Sequence, residues 1–203
     1  MTNRKIAARA TKRKLVEAAL ELIKERGFDA VNVDEITRKA NVAKGTFYTY
    51  FKQKQDVMRE ISRQPFADIQ AELTEMTQAD VLEKLTHYFR RFMERVEYGG
   101  IQICREWTRA VLNPNLPADG NDGKKWFYDL EMLTDILNDA VQSKELSEQT
   151  PVDLLARVII SELYGMMLGW CMSDGAFEPL EWVSKFCDFQ LSAVLKPYLK
   201  QEE

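Results

Sequence analysis

Residues 32–54 carry the side chains best suited to bind a ligand through polar contacts. Lys44, Gly45 and Thr46 follow one another at the start of a predicted short helix. Lysine and free backbone N–H groups bind phosphate, glycine allows close approach, and hydroxyl groups reach base edges. This combination predicts contacts with double-stranded DNA, although aromatic residues in short helices are often ordinary core and Tyr50 could equally pack inward. The predicted contacts are Asn32, Lys44, Gly45, Thr46, Tyr48, Thr49, Tyr50, Lys52 and Lys54.

Two short helices separated by a tight turn are predicted to position these side chains. Asn32 is a typical N-cap residue, and Glu35 three positions later completes a capping box. Asn41 suits the turn, which needs a left-handed backbone. The second helix covers Lys44 to Phe51, with its two phenylalanines on the buried side. In a helix-turn-helix of this kind, the second helix enters the DNA major groove.

The charge of the chain is unevenly distributed. Residues 1–64 contain 15 Lys and Arg against 8 Asp and Glu, whereas residues 65–203 contain 13 against 24. DNA attracts the basic segment and repels the acidic one. The net charge of −4 for the whole chain therefore conceals a basic N-terminal module on an acidic body.

Composition and motifs indicate a cytoplasmic globular protein without catalytic activity. The three cysteines are widely spaced and form no C-x-x-C pair, which argues against a disulfide framework or a zinc site. The longest uncharged apolar run, residues 163–172, is about half the ~20 residues that span a membrane. No fingerprint of a nucleotide, metal or hydrolase site is present, and His87 is the only histidine. We predict no cofactor, no metal and no enzymatic activity.

Helical periodicity recurs throughout the chain, which predicts an all-α protein of about nine helices. The first helix is predicted from about Lys12 to Arg26, ending at Gly27. The fourth helix starts near Gln53 and can continue past Pro65 into the body, with a kink or break at residues 62–65. Residues Asn113–Gly123 form a loop rich in Pro, Gly, Asn and Asp. Further helices are predicted at residues 79–98, 101–112, 124–144, 151–173 and 178–199.

The order of residues around the turn resembles the DNA-binding domain of the TetR family of bacterial transcriptional regulators. That family shows a glycine-aromatic pair, an isoleucine in the second helix, and then Ala-Gly-Val-Ser-x-Gly-x-x-Tyr-x-Tyr-Phe-x-x-Lys. This chain has Gly27-Phe28, Ile36 and, at residues 40–54, ANVAKGTFYTYFKQK. Asn41 replaces the usual glycine, and Ala43 replaces a serine cap worth on the order of 1 kcal/mol.

The resemblance covers about residues 9–69, with the motif at about 32–51. It implies an N-terminal three-helix helix-turn-helix domain and, at residues 70–203, a larger helical domain for effector binding and dimerisation. The implied function is repression from a palindromic operator, bound as a homodimer and released by a small-molecule effector. Two alternatives stay open: a transcriptional activator, and a helical ligand-binding or interaction protein whose DNA-binding part is weak or vestigial.

A strip of small residues in the helix at 151–173 indicates close packing against another helix. Ser161, Gly165 and Gly169 recur every four residues, and each glycine costs about 1 kcal/mol inside a helix. With the last helix, this strip fits a face that pairs with its symmetry mate as a four-helix bundle. Packing within the chain is the alternative. The predicted interface is Ser161, Gly165, Gly169, Trp182, Phe186, Phe189 and Ala193.

Aromatic and methionine side chains in the acidic body predict a pocket for an apolar or aromatic effector. Such side chains line ligand pockets, but at helical spacing they are also ordinary core. His87, Arg105, Glu106 and Arg109 are candidate polar anchors, with a solvated or ion-paired role as the alternative. The predicted lining residues are Tyr88, Phe92, Trp107, Phe127, Met132, Met166, Met167 and Trp170.

The first residues of the chain form a basic arm that ends before Glu17. A basic arm of this kind either is a solvated tail or follows the DNA backbone into the minor groove. The arm carries Arg4, Lys5, Arg9, Lys12, Arg13 and Lys14.

Overall fold

The structure is a computed structural model that describes residues 3–63, 67–112 and 122–200, in which all extended regular elements are helical. The helices are α1 (Asn3–Arg26), α2 (Val33–Lys39), α3 (Lys44–Tyr50), α4 (Lys54–Arg63), α5 (Ala67–Glu75), α6 (Val81–Gly99), α7 (Ile101–Leu112), α8 (Asp122–Gln142), α9 (Val152–Met172), α10 (Pro179–Phe186) and α11 (Ser192–Leu195). A π-helical segment, Cys187–Leu191, joins α10 to α11, so the described residues contain ten separate helices.

The chain divides into two compact units. The N-terminal unit contains α1 to α4 and also α7, while the C-terminal unit contains α5, α6 and α8 to the end of the chain. Within the N-terminal unit, α7 packs against α1 and α4. The domain boundary near residue 70 stays a prediction, but no sequence pattern indicates that α7 returns to the N-terminal unit.

The N-terminal unit has one apolar core, to which every one of its helices contributes. Ile23 from α1, Ile36 from α2 and Phe47 from α3 are fully buried. Val57 from α4 and Ile103 from α7 complete the same cluster. The buried faces of these helices fix the orientation of α3 and leave its other side for solvent.

The first helix begins at Asn3, nine residues before the predicted start at Lys12. The intervening residues lack proline and glycine and include three alanines, which favour helix. The basic arm is therefore a helical extension, and Gly27 ends α1 in the left-handed conformation at φ 79°.

The C-terminal unit is organised around α9. Ten of the side chains of this helix are buried, and its principal partner is α8. By length and composition α9 could cross a membrane, but burial inside the unit is typical of a core helix. The helix ends at a turn in which Asp174 and Gly175 both have positive φ, as the predicted break there requires.

Two further features of the prediction bear on this unit. The sequence allowed the fourth helix to continue beyond Pro65, but the structure has a separate helix α5 that starts at Ala67. Residues 64–66 lie outside the described residues, and so does most of the predicted loop at Asn113–Gly123. Helix α8 starts at Asp122, two residues earlier than predicted.

Candidate DNA-binding surface and effector site

The turn before α3 has the backbone geometry that the sequence requires. Asn41 adopts φ 54°, the left-handed conformation for which asparagine is a tolerated replacement of glycine. The following Val42 donates its N–H to the Thr37 carbonyl at 3.0 Å. Asn32 and Glu35 form the expected capping box at the start of α2. No side chain caps α3, because Ala43 occupies its N-cap position.

Helix α3 is held by aromatic packing on its inner side. The Phe47 side chain is fully buried, and its ring lies 5.3 Å from the ring of Phe51 and 5.4 Å from that of Tyr48. Tyr48 itself is 52% exposed. Apart from its neighbours within the same helix, no atom of the described residues lies within 4 Å of the position that a Gly45 Cβ would occupy. The outer side of α3 is thus sterically open at the residue that would come closest to a groove.

Most of the predicted DNA contacts lie on this outer side. Lys44, Gly45, Tyr48, Thr49 and Lys52 are exposed, whereas Thr46 and Tyr50 are half-buried. Tyr50 packs against the core, as its alternative interpretation allowed. Asn32 is exposed, and its side chain accepts the Glu35 N–H. These contacts with DNA stay predictions.

Lys44 is held in place by an acidic neighbour on α2. Its Nζ lies 2.9 Å from Asp34 Oδ1 and 3.0 Å from Oδ2, and both side chains are more than half exposed. The hydrogen bond to Asp34 raises the pKa of Lys44, so its ammonium stays charged. The ammonium group of Lys44 therefore lies beside Asp34 near the start of α3, and its contact with a DNA phosphate stays a prediction.

Lys54 is predicted to contact a DNA phosphate, but in the structure it bonds backbone carbonyls of its own unit. Its Nζ donates to the carbonyl oxygens of Phe28 and Val31, each at 2.7 Å, and lies 4.1 Å from the centre of the Phe28 ring. Burial lowers the pKa of this lysine. Lys54 thus stabilises the loop between α1 and α2, and its ammonium group points into the unit.

Arg109 on α7 fastens the same loop from outside. Its guanidinium donates to Asp29 at 3.2 Å and to Glu106 at 2.6 Å. The hydrogen bond and the charge of Arg109 lower the pKa of Asp29. Of the candidate polar anchors, Arg109 is thus ion-paired, and His87 is hydrogen-bonded to Glu72, with its Nε2 2.9 Å from a carboxylate oxygen.

Two basic side chains of the helical arm form ion pairs within the N-terminal unit. Lys12 forms an ion pair with Glu60 at 2.8 Å, and Arg13 lies 3.5 Å from Glu17. Lys5 and Lys14 are exposed. Contact of the arm with DNA stays a prediction.

Most of the predicted effector residues lie in the interior of the C-terminal unit. Tyr88, Phe92 and Met167 are almost fully buried, and Met132, Met166 and Trp170 are buried as well. The Tyr88 and Phe92 rings are 6.4 Å apart, and Phe92 lies 5.6 Å from the ring of Tyr164. The C-terminal unit thus has an interior rich in aromatic and methionine side chains.

Two members of the predicted pocket lie elsewhere. Phe127 is 68% exposed, because it lies on the outer side of α8, so it does not line the interior. Trp107 belongs to α7 and hence to the N-terminal unit. The aromatic character of a residue does not by itself tell whether its side of the helix is buried or which unit the helix joins.

A buried polar cluster within this core was missed by sequence reasoning. Lys125 Nζ lies 2.6 and 2.8 Å from the two oxygens of Asp129, and the Tyr164 hydroxyl donates to Asp129 at 2.7 Å. Burial lowers the pKa of Lys125 and raises that of Tyr164. At i, i+4 spacing on α8, the Lys–Asp pair resembles an ordinary solvated pair, so burial was the only distinguishing signal.

The small-residue strip on α9 is open. Ser161 and Gly165 are exposed, and in the part of the chain that the structure describes, no atom outside the adjacent backbone of α9 lies within 4 Å of a Cβ built at Gly165 or Gly169. On the last helix Trp182, Ala193 and Phe189 are exposed, Phe189 at 83%.

Phe186 differs from the rest of the predicted interface. It is buried, and its ring stacks on that of Phe89 at 5.1 Å, so it supports the helix from within the unit. Pairing with a second copy through the remaining residues stays a prediction.

The chain is similar to known proteins in its N-terminal segment and, for some relatives, over most of its length. Residues 15–61 match the family model described as bacterial regulatory proteins, tetR family. The Transposon Tn10 TetC protein of Escherichia coli is 39% identical over 164 residues, which cover 69% of this chain and 83% of that one. The fatty acid metabolism regulator protein of Bacillus subtilis is 26% identical over 171 residues, 81% of this chain and 85% of that one.

A solved structure shares the fold of the whole chain. The transcriptional regulator FadR from Bacillus subtilis, in complex with stearoyl-CoA, superimposes with a TM-score of 0.70 at 22% sequence identity. The match covers 90% of this chain and 97% of that one. The two proteins therefore have the same arrangement of helices.

Proposed function

The chain belongs to the TetR family of bacterial transcriptional regulators, and we propose that it represses transcription from a palindromic operator, which it binds as a homodimer and leaves when an acyl-CoA effector binds. It is a DNA-binding regulator and not an enzyme. The observation that carries the proposal is the geometry of α3. Phe47 anchors the helix inside the unit, while Lys44, Gly45 and Tyr48 face outward.

Helix α3 would read the major groove, with Gly45 at the closest approach and Thr46, Tyr48 and Thr49 beside it. Lys44 and Lys52 would bind the flanking phosphates. Phosphate contacts of this kind fix the register on DNA, and contacts with base edges then provide sequence specificity. While it is bound to its operator, the protein would lie in the cytoplasm, associated with the nucleoid.

Dimerisation would use the open strip of α9 together with Trp182, Phe189 and Ala193. The uncovered glycines support this assignment, because their cost inside a helix is offset when another helix packs closely against them. A two-fold axis would place the two α3 helices about one helical turn of DNA apart, roughly 34–36 Å.

The effector class is inferred from the relatives and from the core of the C-terminal unit. A FadR of the same fold holds stearoyl-CoA, and a curated relative regulates fatty acid metabolism. The methionine- and aromatic-rich core around Phe92 and Met167 suits a flexible acyl chain. The effector would release the operator if it binds the DNA-incompetent state more tightly, and the ratio of the two affinities sets the extent of induction.

The test starts with selection of bound sequences from a random DNA pool, followed by affinity measurements on the selected DNA. We expect a palindrome bound with nanomolar affinity and released by stearoyl-CoA. Lys44→Ala should weaken operator binding, whereas Lys84→Ala, a lysine on α6, serves as the matched control. Weak, sequence-independent binding lost at moderate salt would refute the proposal and favour the ligand-binding alternative. Tighter operator binding with stearoyl-CoA would instead identify an activator or a co-repressed regulator.

A further inference from the structure

Tyr88 has a buried hydroxyl group that the fold does not use. The side chain is 1% exposed, and its hydroxyl makes no hydrogen bond among the described residues. A buried polar group without a partner costs stability, so native proteins rarely keep one without a reason. Tyr88 lies on α6, one turn before Phe92; the two ring centres are 6.4 Å apart, and the Phe92 ring centre lies 5.6 Å from that of Tyr164.

A buried polar cluster lies next to Phe92, whose ring centre is 5.0 Å from Lys125 Nζ. Asp129 accepts from Lys125 through both of its oxygens and from the Tyr164 hydroxyl. Burial raises the pKa of Tyr88, and the charge of Asp129 raises it further, so the Tyr88 hydroxyl keeps its proton. A protonated hydroxyl at the edge of this cluster can donate to a ligand.

The net charge of the cluster limits what that ligand group can be. Lys125 and Asp129 are within 2.8 Å of each other and together carry no net charge. A carboxylate brought into this core would add a buried charge without a counterion, which is strongly unfavourable. A neutral oxygen acceptor, such as the carbonyl of a thioester, has no such cost.

We propose that the Tyr88 hydroxyl, backed by Lys125, Asp129 and Tyr164, donates a hydrogen bond to the thioester carbonyl oxygen of the effector's acyl group. This inference rests on the proposed acyl-CoA effector and adds the residue that distinguishes a thioester from other groups on the same chain. The Phe92 and Trp126 ring centres lie 5.6 and 5.0 Å from that of Tyr164, so the surroundings of the proposed bond are largely aromatic.

The experiment compares two ligands and three forms of the full-length protein by calorimetric titration. The ligands are stearoyl-CoA and its S-octadecyl thioether, which lacks only the carbonyl oxygen. The proteins are the wild type, Tyr88→Phe and the control Tyr128→Phe, which removes an exposed hydroxyl bonded to Gln70 in the same unit.

We expect the wild type to bind the thioester roughly ten-fold more tightly than the thioether, the value of one hydrogen bond. Tyr88→Phe should bind the two ligands equally, with the thioether affinity unchanged, and Tyr128→Phe should behave as the wild type. Equal discrimination by the wild type and Tyr88→Phe would overturn the inference but leave the proposed effector class intact. Failure of the wild type to bind either ligand would refute the effector class and the inference with it.

The stability of the ligand-free protein provides a second readout. Since the hydroxyl has no hydrogen-bond partner among the described residues, Tyr88→Phe should keep or raise the melting temperature of the unliganded protein. A melting temperature several degrees lower would show that the hydroxyl is bonded within the fold, and it would overturn the inference whatever the ligands do.

Discussion

A hydroxyl introduced at residue 43 should stabilise the N-terminal unit. Ala43 precedes α3 with φ −68° and ψ 149°, the extended backbone of an N-cap residue, but its methyl group accepts no hydrogen bond. We expect Ala43→Thr to provide the missing acceptor for an N–H of the first turn and to raise the free energy of unfolding by about 1 kcal/mol. The site is exposed, so the larger side chain has room.

Ala43→Val is the matched control, because valine has the shape of threonine and lacks only the hydroxyl. Urea unfolding followed by circular dichroism gives the free energies, and amide hydrogen exchange in α3 shows whether the gain is local. A stabilisation of about 1 kcal/mol corresponds to a rise in melting temperature of roughly 4–8 °C for a unit of this size. The reasoning fails if the threonine and valine variants unfold at the same urea concentration.

Three further changes test other parts of the structure. Lys54→Met should destabilise the N-terminal unit by about 2 kcal/mol, because two buried carbonyls lose a charged donor; urea unfolding measures this, and unchanged stability would contradict the assigned role. Glu72 has a lowered pKa because Arg91 donates to it and His87 also bonds it. The ionised form is therefore stabilised by folding, so its contribution is present above the ordinary pKa of 4.5 and is lost as the pH falls through the lower folded value. Glu72→Gln should unfold more easily at pH 7, and its deficit relative to the wild type should shrink in acid; a deficit independent of pH would exclude this linkage. Phe189→Glu should convert the proposed homodimer to monomers in sedimentation experiments, whereas Phe127→Glu, at an exposed aromatic site on α8, should not; a dimeric Phe189→Glu protein would place the interface elsewhere.

The DNA-binding motif was predictable because its determinants are local. The capping box of Asn32 and Glu35 and the left-handed Asn41 each depend on residues within three or four positions, and both are present as expected. The inward packing of Phe47 follows from its helical spacing. Chemical type and short-range spacing together determine this part of the fold.

The roles of the buried charges were not predictable in the same way. Lys54 reaches carbonyls 23 and 26 residues earlier in the chain, a contact that exists only after the helices have packed. Lys125 and Asp129 have the spacing of a surface pair, and only the tertiary structure places them inside. Likewise, hydrophobic periodicity did not show that the alanine-rich arm before Lys12 extends α1.

The membership of α7 in the N-terminal unit has a practical consequence for protein engineering. Because residues 66–98 are inserted between the two parts of that unit, the polypeptide passes from one unit to the other three times. A fragment cut near residue 69 would lack α7, the helix that packs on α1 and α4 and supplies Arg109 to Asp29. Hybrid regulators that join such a fragment to a foreign body would therefore have an incomplete core, and a functional exchange of operator specificity requires replacement of α3 alone or of both discontinuous segments.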